Sequence, residues 1–494
     1  MTGAVREQAE SFTSLDPRTA EVVGEYPVHS AHQVRAVVER AREAGQWWAD
    51  LGFAERRRRL DLWRQLIVKR LDEFAGVITQ ETGKPLDDSR LELVLVVDHL
   101  QWAAKNAERV LRRRKVSAGL LMSNQAATVE YLPLGVVGVL GPWNYPAHTP
   151  MGSISYSLAA GNAVVFKPSE LTPGVGKWLV DSFAEVVPEW PVFQLVTGFG
   201  ETGAALCRSG VDKLAFTGST ATAKRVMAAC AESLTPVLVE CGGKDALIVD
   251  SDADLEAAAQ AAVWGSMSNA GQTCVGVERV YVVDSVAQEF IERVTRIANR
   301  LKPGAQASAD FGPITMPAQV GIIQSHIEDA LSKGAMAVVG GKESVRPPYV
   351  EPVVLLDVPE DSTAITEETF GPTVTINRVK DVDEAVRLAN ASRYGLGGTV
   401  YSKSRGVELA RRLRSGMVSV NSVISFAAIP GLPFGGVGDS GFGRIHGEDG
   451  LREFTRPQAV TRQKFKAPIN PMSFARGSRA VKRLLGIVRL VHRK

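Results

Sequence analysis

A layered α/β fold built on parallel sheets is predicted by two observations in this 494-residue chain. From Gly135 onward, short apolar runs alternate with helical stretches, and a second alternating set runs from Ala246 to about Val420. Near-continuous apolar strands mark a parallel sheet with helices on both faces, because crossover connections place helices there. The clearest break between the two sets is Gly242-Gly243, which predicts a hinge between two α/β lobes.

Taken in order, residues 31–115 read mostly as helices, with apolar positions recurring at three and four as in Leu60, Trp63, Leu66 and Ile67. The first strand set is Gly135 to Leu140, Ala163 to Phe166, Phe193 to Val196, Leu214 to Phe216 and Val237 to Val239. In the second set, helices are expected at Leu255 to Ser268 and Val286 to Leu301. The length favours about three domains or subdomains, and no internal repeat is seen.

Composition excludes several classes. Hydrophobic content of 45% and charged content of 22% are those of an ordinary globular protein. The first ten residues lead into no apolar h-region, and no run approaches 18 apolar residues, so neither a secretory signal nor a spanning helix is expected. Cys207, Cys230, Cys241 and Cys274 lack framework spacing, which fits free thiols and a cytoplasmic location. The net charge of +3 is concentrated: Arg476 to Lys494 holds seven Lys or Arg and no acid, so the remainder is mildly acidic and nucleic acid is not expected as a partner. The runs Arg56 to Arg59 and Arg112 to Lys115 are read as solvated helix faces or intersubunit contacts.

Ligands of a doubly wound sheet bind where strand ends feed helix starts. Three such loops follow the first strands: Gly141-Pro142-Trp143-Asn144-Tyr145-Pro146, Lys167-Pro168-Ser169-Glu170 and Phe216-Thr217-Gly218-Ser219-Thr220. The third suits a phosphate, with free N–H groups at a helix start, a small glycine and hydroxyl donors, although Gly-Ser-Thr is also an ordinary cap. Cys274 lies in Gly271-Gln272-Thr273-Cys274, thirty-four residues after Glu240 in Glu240-Cys241-Gly242-Gly243-Lys244. A thiol in a small-residue loop with a carboxylate partner can run a two-step covalent mechanism.

These motifs, together with Gly161-Asn162-Ala163-Val164-Val165-Phe166-Lys167-Pro168-Ser169-Glu170, Glu367-Glu368-Thr369-Phe370-Gly371-Pro372 and Pro433-Phe434-Gly435-Gly436, stand in one order along nearly the whole chain. The sequence resembles the NAD(P)-dependent aldehyde dehydrogenase superfamily of the non-acylating, hydrolytic type. The resemblance implies two Rossmann-like lobes. The NAD-binding domain would be 1–115 and 134–241, and the catalytic domain 242–454. A β oligomerisation arm of 116–133 and 455–466 and a basic tail of 467–494 complete the division.

It further implies that the Cys274 thiolate attacks the aldehyde carbon, in a loop expected to lower its pKa. The Asn144 amide and the Cys274 N–H would hold the oxyanion. Glu240 would activate the water that hydrolyses the thioester. Trp143, Lys167, Ser169, Glu170, Gly200, Phe216, Gly218, Ser219, Glu368 and Phe370 match cofactor positions. Glu170 favours NAD, and some relatives with the same Lys-Pro-Ser-Glu accept NADP. Assembly as a homodimer or homotetramer is implied as well. Tyr145 and Phe426 are candidates to line an apolar tunnel, so a medium- or long-chain or aromatic aldehyde is expected. No Lys or Arg lies between Pro146 and Lys167, where some semialdehyde relatives bind a substrate carboxylate.

Three alternatives remain at this stage: a succinic semialdehyde-type enzyme, a CoA-acylating enzyme (disfavoured by Glu240) and a non-catalytic NAD-binding relative. Ala221-Thr222-Ala223 stands where many members have Glu-x-Gly, Cys241 replaces a leucine and is read as a packing residue, and Asp245 replaces Ser or Asn. The competing reading of Asn144 is a cap for the helix after Pro146. Gly436 to Gly441 fits G-x-G-x-x-G without the strand it needs, and is read as a loop packed near the site. Asp250, Asp252 and Asp254 lack the rest of a calcium loop and are read as helix caps. The seven histidines show no metal-ligand spacing, so no metal is expected. In the tail, Val481, Leu484, Leu485, Val488 and Val491 recur at helical spacing beside Lys482, Arg483, Arg489 and Arg493. A helix lying on an anionic membrane is one reading; a helix packed on a neighbouring subunit, or an unstructured tail, is favoured.

Overall fold

The structure, a computed structural model, describes residues 10–466 and 473–492. The start of the chain and Arg493 of the tail lie outside them. Residues 10–110 and 133–455 form one compact unit built on two large sheets, with two small two-stranded ones beside them.

The first sheet has six strands in the order Gly441–Phe442, Val237–Cys241, Lys213–Gly218, Val136–Leu140, Ala163–Lys167 and Phe193–Leu195. All neighbours pair in parallel except the short first strand, which runs antiparallel with Gly441 opposite Glu240. Val136–Leu140 and Ala163–Lys167 are buried along their whole length, as their unbroken apolar runs require. The chain runs outward from Val136–Leu140 to Phe193–Leu195, then returns to place Lys213–Gly218 on the other side of Val136–Leu140. The order therefore reverses between these two strands, and their carboxyl ends open a crevice there.

Four helices precede this sheet: Ala31–Asp50, Gly52–Lys69, Leu71–Thr82 and Leu86–Leu111. Trp48 and Trp63 are fully buried, and each indole N–H finds an acceptor, Leu158 O at 2.8 Å and Ser182 Oγ at 2.9 Å. The expectation that Arg56 sits on a solvated face is corrected. Arg56 is buried, donates to Ala49 O at 2.9 Å at the end of the preceding helix, and burial holds its pKa down at about 10. Arg58 and Arg59 do pair on the surface, with Glu55 and with Glu55 and Glu189.

The second sheet has seven strands, in the order Met336–Val339, Val353–Leu356, Thr373–Val379, Val277–Val283, Asp245–Val249, Gly398–Tyr401 and Ser419–Val420. Only the edge strand Met336–Val339 is antiparallel. Helices Leu255–Met267 and Asp284–Ala298 lie on it, close to their expected bounds. Of the three alternating aspartates only Asp254 caps this way, accepting from Ala257 N at 3.1 Å. Asp250 and Asp252 instead accept from Arg405 and from the 402–404 backbone and side chains. The two sheets are joined through Gly242 and Gly243, between Val237–Cys241 and Asp245–Val249.

Segments 111–132, 456–466 and 473–492 form a second, smaller unit. Its sheet orders Thr455–Gln463, Gln125–Pro133 and Arg114–Val116, the last two antiparallel. The tail is a helix, Ser478–Val491, with none of its residues buried. Among the described residues no helix is long and apolar enough to cross a membrane.

Asn162 ties the first sheet to the elements around it. Its Oδ1 accepts from Leu134 N at 2.7 Å and Gly135 N at 3.0 Å, while its Nδ2 donates to Ser157 O at 3.1 Å and Phe454 O at 2.8 Å. Because the group is fully buried, Asn162→Ala strands several backbone groups. A stability loss above about 2 kcal/mol is expected in urea unfolding; a loss below about 0.5 kcal/mol would contradict this role.

Candidate active site

Cys274 is held by a loop whose backbone is unusual three times in succession. Asn269 and Ala270 have φ of 52° and 55°, and Gly271 has 72°. Only glycine fits the third position, since a Cβ there would lie 2.0 Å from Gly371 O. The left-handed Ala270 carries strain that the surroundings must hold in place. Gln272 does much of this: its Nε2 donates to Asn269 O at 2.9 Å and Pro313 O at 3.2 Å, and its Oε1 accepts from Thr315 N at 2.8 Å.

Asn144 comes from the other sheet, in the loop after Val136–Leu140. Its Nδ2 donates to Gln272 O at 2.9 Å, which ties the two loops together. It does not cap the following helix. That helix, His148–Ala160, is capped instead by Glu92, whose Oε1 accepts from Ala147 N at 2.9 Å and His148 N at 3.0 Å. Glu92 pairs at 2.8 Å with Lys84, which also donates to Asn144 O at 2.8 Å. Both are buried, so this ion pair sets the height of the Asn144 loop from beneath. Nothing in the sequence pointed to Glu92, and for Lys84 the one available signal was its place between Gly83 and Pro85 in an otherwise helical region.

Glu240 ends the strand Val237–Cys241, and both its carboxylate oxygens are buried without a hydrogen-bond partner of ordinary geometry. Burial pushes its pKa up to about 7, with Cys274 and Thr217 pulling the other way. The expectation that the loop lowers the Cys274 pKa is corrected. Burial first, then Glu240, Glu368 and Asp245, push the thiol well above its ordinary value, so it stays protonated here. Asp245, for which the sequence suggested no role, accepts from Gly397 N at 3.0 Å and is itself pushed up to about 7 by burial. Cys241 is buried and pushed up to about 12, chiefly by burial, as suits a packing residue.

Two cavities meet at these residues. One is lined by Leu91, Leu95, Tyr145, Trp264, Val275, Ile424, Phe434 and Ile445. The other is lined by Trp143, Asn144, Gly218, Ser219, Gly242, Glu368, Phe370 and Arg393, and Cys274 and Glu240 belong to the walls of both. Tyr145 lines the first as expected, with its hydroxyl 3.2 Å from Thr273 Oγ1. Phe426 does not: it is buried behind the wall, its ring 6.4 Å from that of Phe434, which takes the lining position.

The second cleft opens at the crevice between Val136–Leu140 and Lys213–Gly218. Ser219 is the N-cap of Thr220–Ala231 and accepts from Thr222 N at 3.3 Å. Glu368 accepts from Gly243 N at 3.2 Å and occupies the space a Cβ at Gly242 would need, 1.9 Å away. Phe370 meets Trp143 edge-on at 5.5 Å. The buried pair Lys244 and Glu278 supports this wall, Glu278 accepting from Thr369 N and Phe370 N at 2.8 and 3.0 Å. These residues fit a dinucleotide: a helix N-terminus for the pyrophosphate, a carboxylate for ribose hydroxyls and apolar rings for a planar base.

The remaining matched positions stand less directly. Lys167 ends the strand next to Val136–Leu140, is buried, and donates to Pro168 O at 2.9 Å with Glu170 at 3.9 Å. Glu170 faces a neighbouring cleft with Thr13 to Ala20. The Ser169 hydroxyl accepts from Leu171 N at 3.2 Å, Phe216 is buried in its strand under Gly218, and Gly200 opens a helix on the surface. The glycine-rich segment behaves as read: Ser440 donates to Gly242 O at 2.8 Å and accepts from Gly395 N at 3.0 Å, bracing the turn after Glu240.

Two layered α/β lobes, with a buried thiol and carboxylate where a substrate cavity meets a dinucleotide-shaped cleft, define a nucleophile-bearing dehydrogenase class. The chain belongs to the Aldehyde dehydrogenase family, whose model matches residues 4–460. It is 37% identical over 468 residues to the 4,4'-diapolycopene aldehyde oxidase of Methylomonas sp, covering 94% of this chain and 88% of that one. It is 35% identical over 463 residues to the succinate-semialdehyde dehydrogenase [NADP(+)] of Deinococcus radiodurans, covering 92% and 96%. The solved NAD-dependent aldehyde dehydrogenase from Sinorhizobium meliloti superposes with a TM-score of 0.89 at 32% identity, covering 94% of this chain and 93% of that one.

Removing Lys84 tests the support beneath Asn144. Lys84→Met leaves Glu92 buried and unpaired, so a loss of about 3–5 kcal/mol is expected in denaturant unfolding. Partial recovery is expected in Lys84→Met/Glu92→Gln; a single-variant loss below about 1 kcal/mol would remove the pair from the account.

Proposed function

We propose that Cys274, Asn144 and Glu240 carry out the oxidation of an uncharged, apolar aldehyde to its carboxylic acid. The chain is an NAD(P)-dependent aldehyde dehydrogenase. The observation that carries the mechanism is that Cys274 and Glu240 form the shared wall of the two cavities. An aldehyde in the first is thus attacked beside whatever occupies the second.

Glu240, poised near neutrality, accepts the proton of the Cys274 thiol as Sγ bonds to the aldehyde carbon. Negative charge then develops on the aldehyde oxygen. Among the described residues, neither the Cys274 backbone N–H nor the second proton of the Asn144 amide has a protein acceptor, so both can serve that oxygen. The bound oxidised dinucleotide supplies the hydride acceptor. Once Glu240 has passed the thiol proton to solvent, it deprotonates the water that hydrolyses the thioester on Cys274; the acid leaves and the thiolate takes a proton back from Glu240. The apolar walls limit water around the sulfur, which strengthens each of these interactions.

The apolar substrate class is supported by the cavity. Among the described residues its one Lys or Arg is Lys84, already engaged by Glu92 and Asn144 O, so none of them offers a free cation for a substrate carboxylate. The relatives' names span diapolycopene aldehyde and succinate semialdehyde, so similarity alone leaves the choice open.

A panel of alkyl, aromatic and ω-carboxy aldehydes with NAD and NADP is expected to give the highest kcat/KM for the uncharged chains. Preference for the ω-carboxy members would overturn the substrate class. Cys274→Ala is expected to abolish NAD(P)H formation, and Asn144→Ala to lower kcat by about 10²–10³-fold. Glu240→Gln is expected to lower turnover by about 10²–10⁴-fold. Full turnover in Cys274→Ala would sink the covalent mechanism.

A further inference from the structure

Three histidines that this chemistry does not use gather in one place. His99 lies in the helix Leu86–Leu111, His148 opens His148–Ala160, and His446 immediately precedes Gly447–Glu453. One ring nitrogen from each lies within 4.8 Å of the other two. The ring centroids are 3.9 Å apart for His99 and His446, and 5.2 Å for His99 and His148.

Their hydrogen bonding is incomplete in a particular way. His99 Nε2 lies 3.1 Å from Ala427 O, and a carbonyl only accepts, so Nε2 holds the proton and Nδ1 presents a lone pair. Among the described residues that Nδ1 is buried with no partner, as are His148 Nε2 and both nitrogens of His446. Buried polar atoms are rarely left so, and several converging on one point call for a ligand between them. A backbone carbonyl fixing the far nitrogen of a ring is also the usual support for a metal-binding imidazole.

The backbone at His446 is an independent observation. It has φ 63° and ψ 164°, a region essentially reserved for glycine. The strain aims the ring at the cluster, and Gly152 makes room for it, since a Cβ there would lie 2.8 Å from His446 Nε2.

We propose that His99, His148 and His446 bind one divalent transition-metal ion of the zinc class through three imidazole nitrogens. Neutral imidazole is a preferred donor for such ions, whereas calcium and magnesium require oxygen ligands. Bonds of about 2.0–2.1 Å in a tetrahedral set bring the nitrogens to roughly 3.3 Å of one another, so binding draws the three rings together from their present spacing of up to 4.8 Å. Three ligands leave a fourth position for water or another oxygen. His148 and His446 line the aldehyde cavity, so that position is within reach of a substrate oxygen remote from Cys274.

Cobalt(II) is the probe, because its visible bands report coordination number and its uptake can be counted. Full-length protein freed of metal by chelator dialysis is expected to bind one equivalent of Co²⁺ with a tetrahedral-type spectrum, displaced by Zn²⁺. Affinity is expected to fall at least about 10-fold in His446→Ala and in His99→Asn, and to persist in Cys274→Ala. Circular dichroism confirms that each variant is folded. Absence of uptake by the wild-type chain would overturn the proposal. So would uptake unchanged in both folded histidine variants, or uptake lost in Cys274→Ala, which would assign the ion to the thiol.

Discussion

Desolvation of a carboxylate beside a thiol is the constraint around which this molecule is arranged. An exposed glutamate is a poor base near pH 7 because, although ionised, it is only weakly basic. Buried at the end of Val237–Cys241 without hydrogen-bond partners, Glu240 is pushed up to about 7 and is poised to take a proton. The same burial pushes the Cys274 thiol up, so in the proposed mechanism the sulfur depends on Glu240 for activation. Glu368 and Asp245 deepen the effect by adding negative charge around the thiol.

Such a site is costly to fold and the surroundings stabilise it. Two buried ion pairs, Lys84 with Glu92 and Lys244 with Glu278, stand beneath the two walls and carry their backbone hydrogen bonds. The first supports the Asn144 loop and caps its helix, and the second holds Thr369 and Phe370 beside the dinucleotide-shaped cleft. The strained turn from Asn269 to Gly271 is secured by Gln272 bonding across to Pro313 and Thr315. The two sheets thus present their loops to one point, held there by these ion pairs and by the secured turn.

The parallel strands were legible because burial on both faces leaves an unbroken apolar run, as in Val136 to Leu140. Cys274, Glu240 and Asn144 were legible because each sits in a short motif of small or turn-forming residues. Lys84, Glu92 and the three histidines were not. Residues 99, 148 and 446 share no spacing, and only the fold brings them together. Arg56 misled for the complementary reason: a run of four arginines reads as solvated, yet one of every three or four positions on that helix faces inward. The protonation state of Cys274 was misread because a loop sequence does not disclose which carboxylates lie around it.

The pH dependence of wild-type turnover with a saturating uncharged aldehyde tests the central claim most directly. A buried Glu240 acting as base predicts a rate that rises through an apparent pKa of about 7 to a plateau, because the active form is the ionised one. A rate independent of pH between about 5.5 and 8.5, in an enzyme that remains folded across that range, would contradict it.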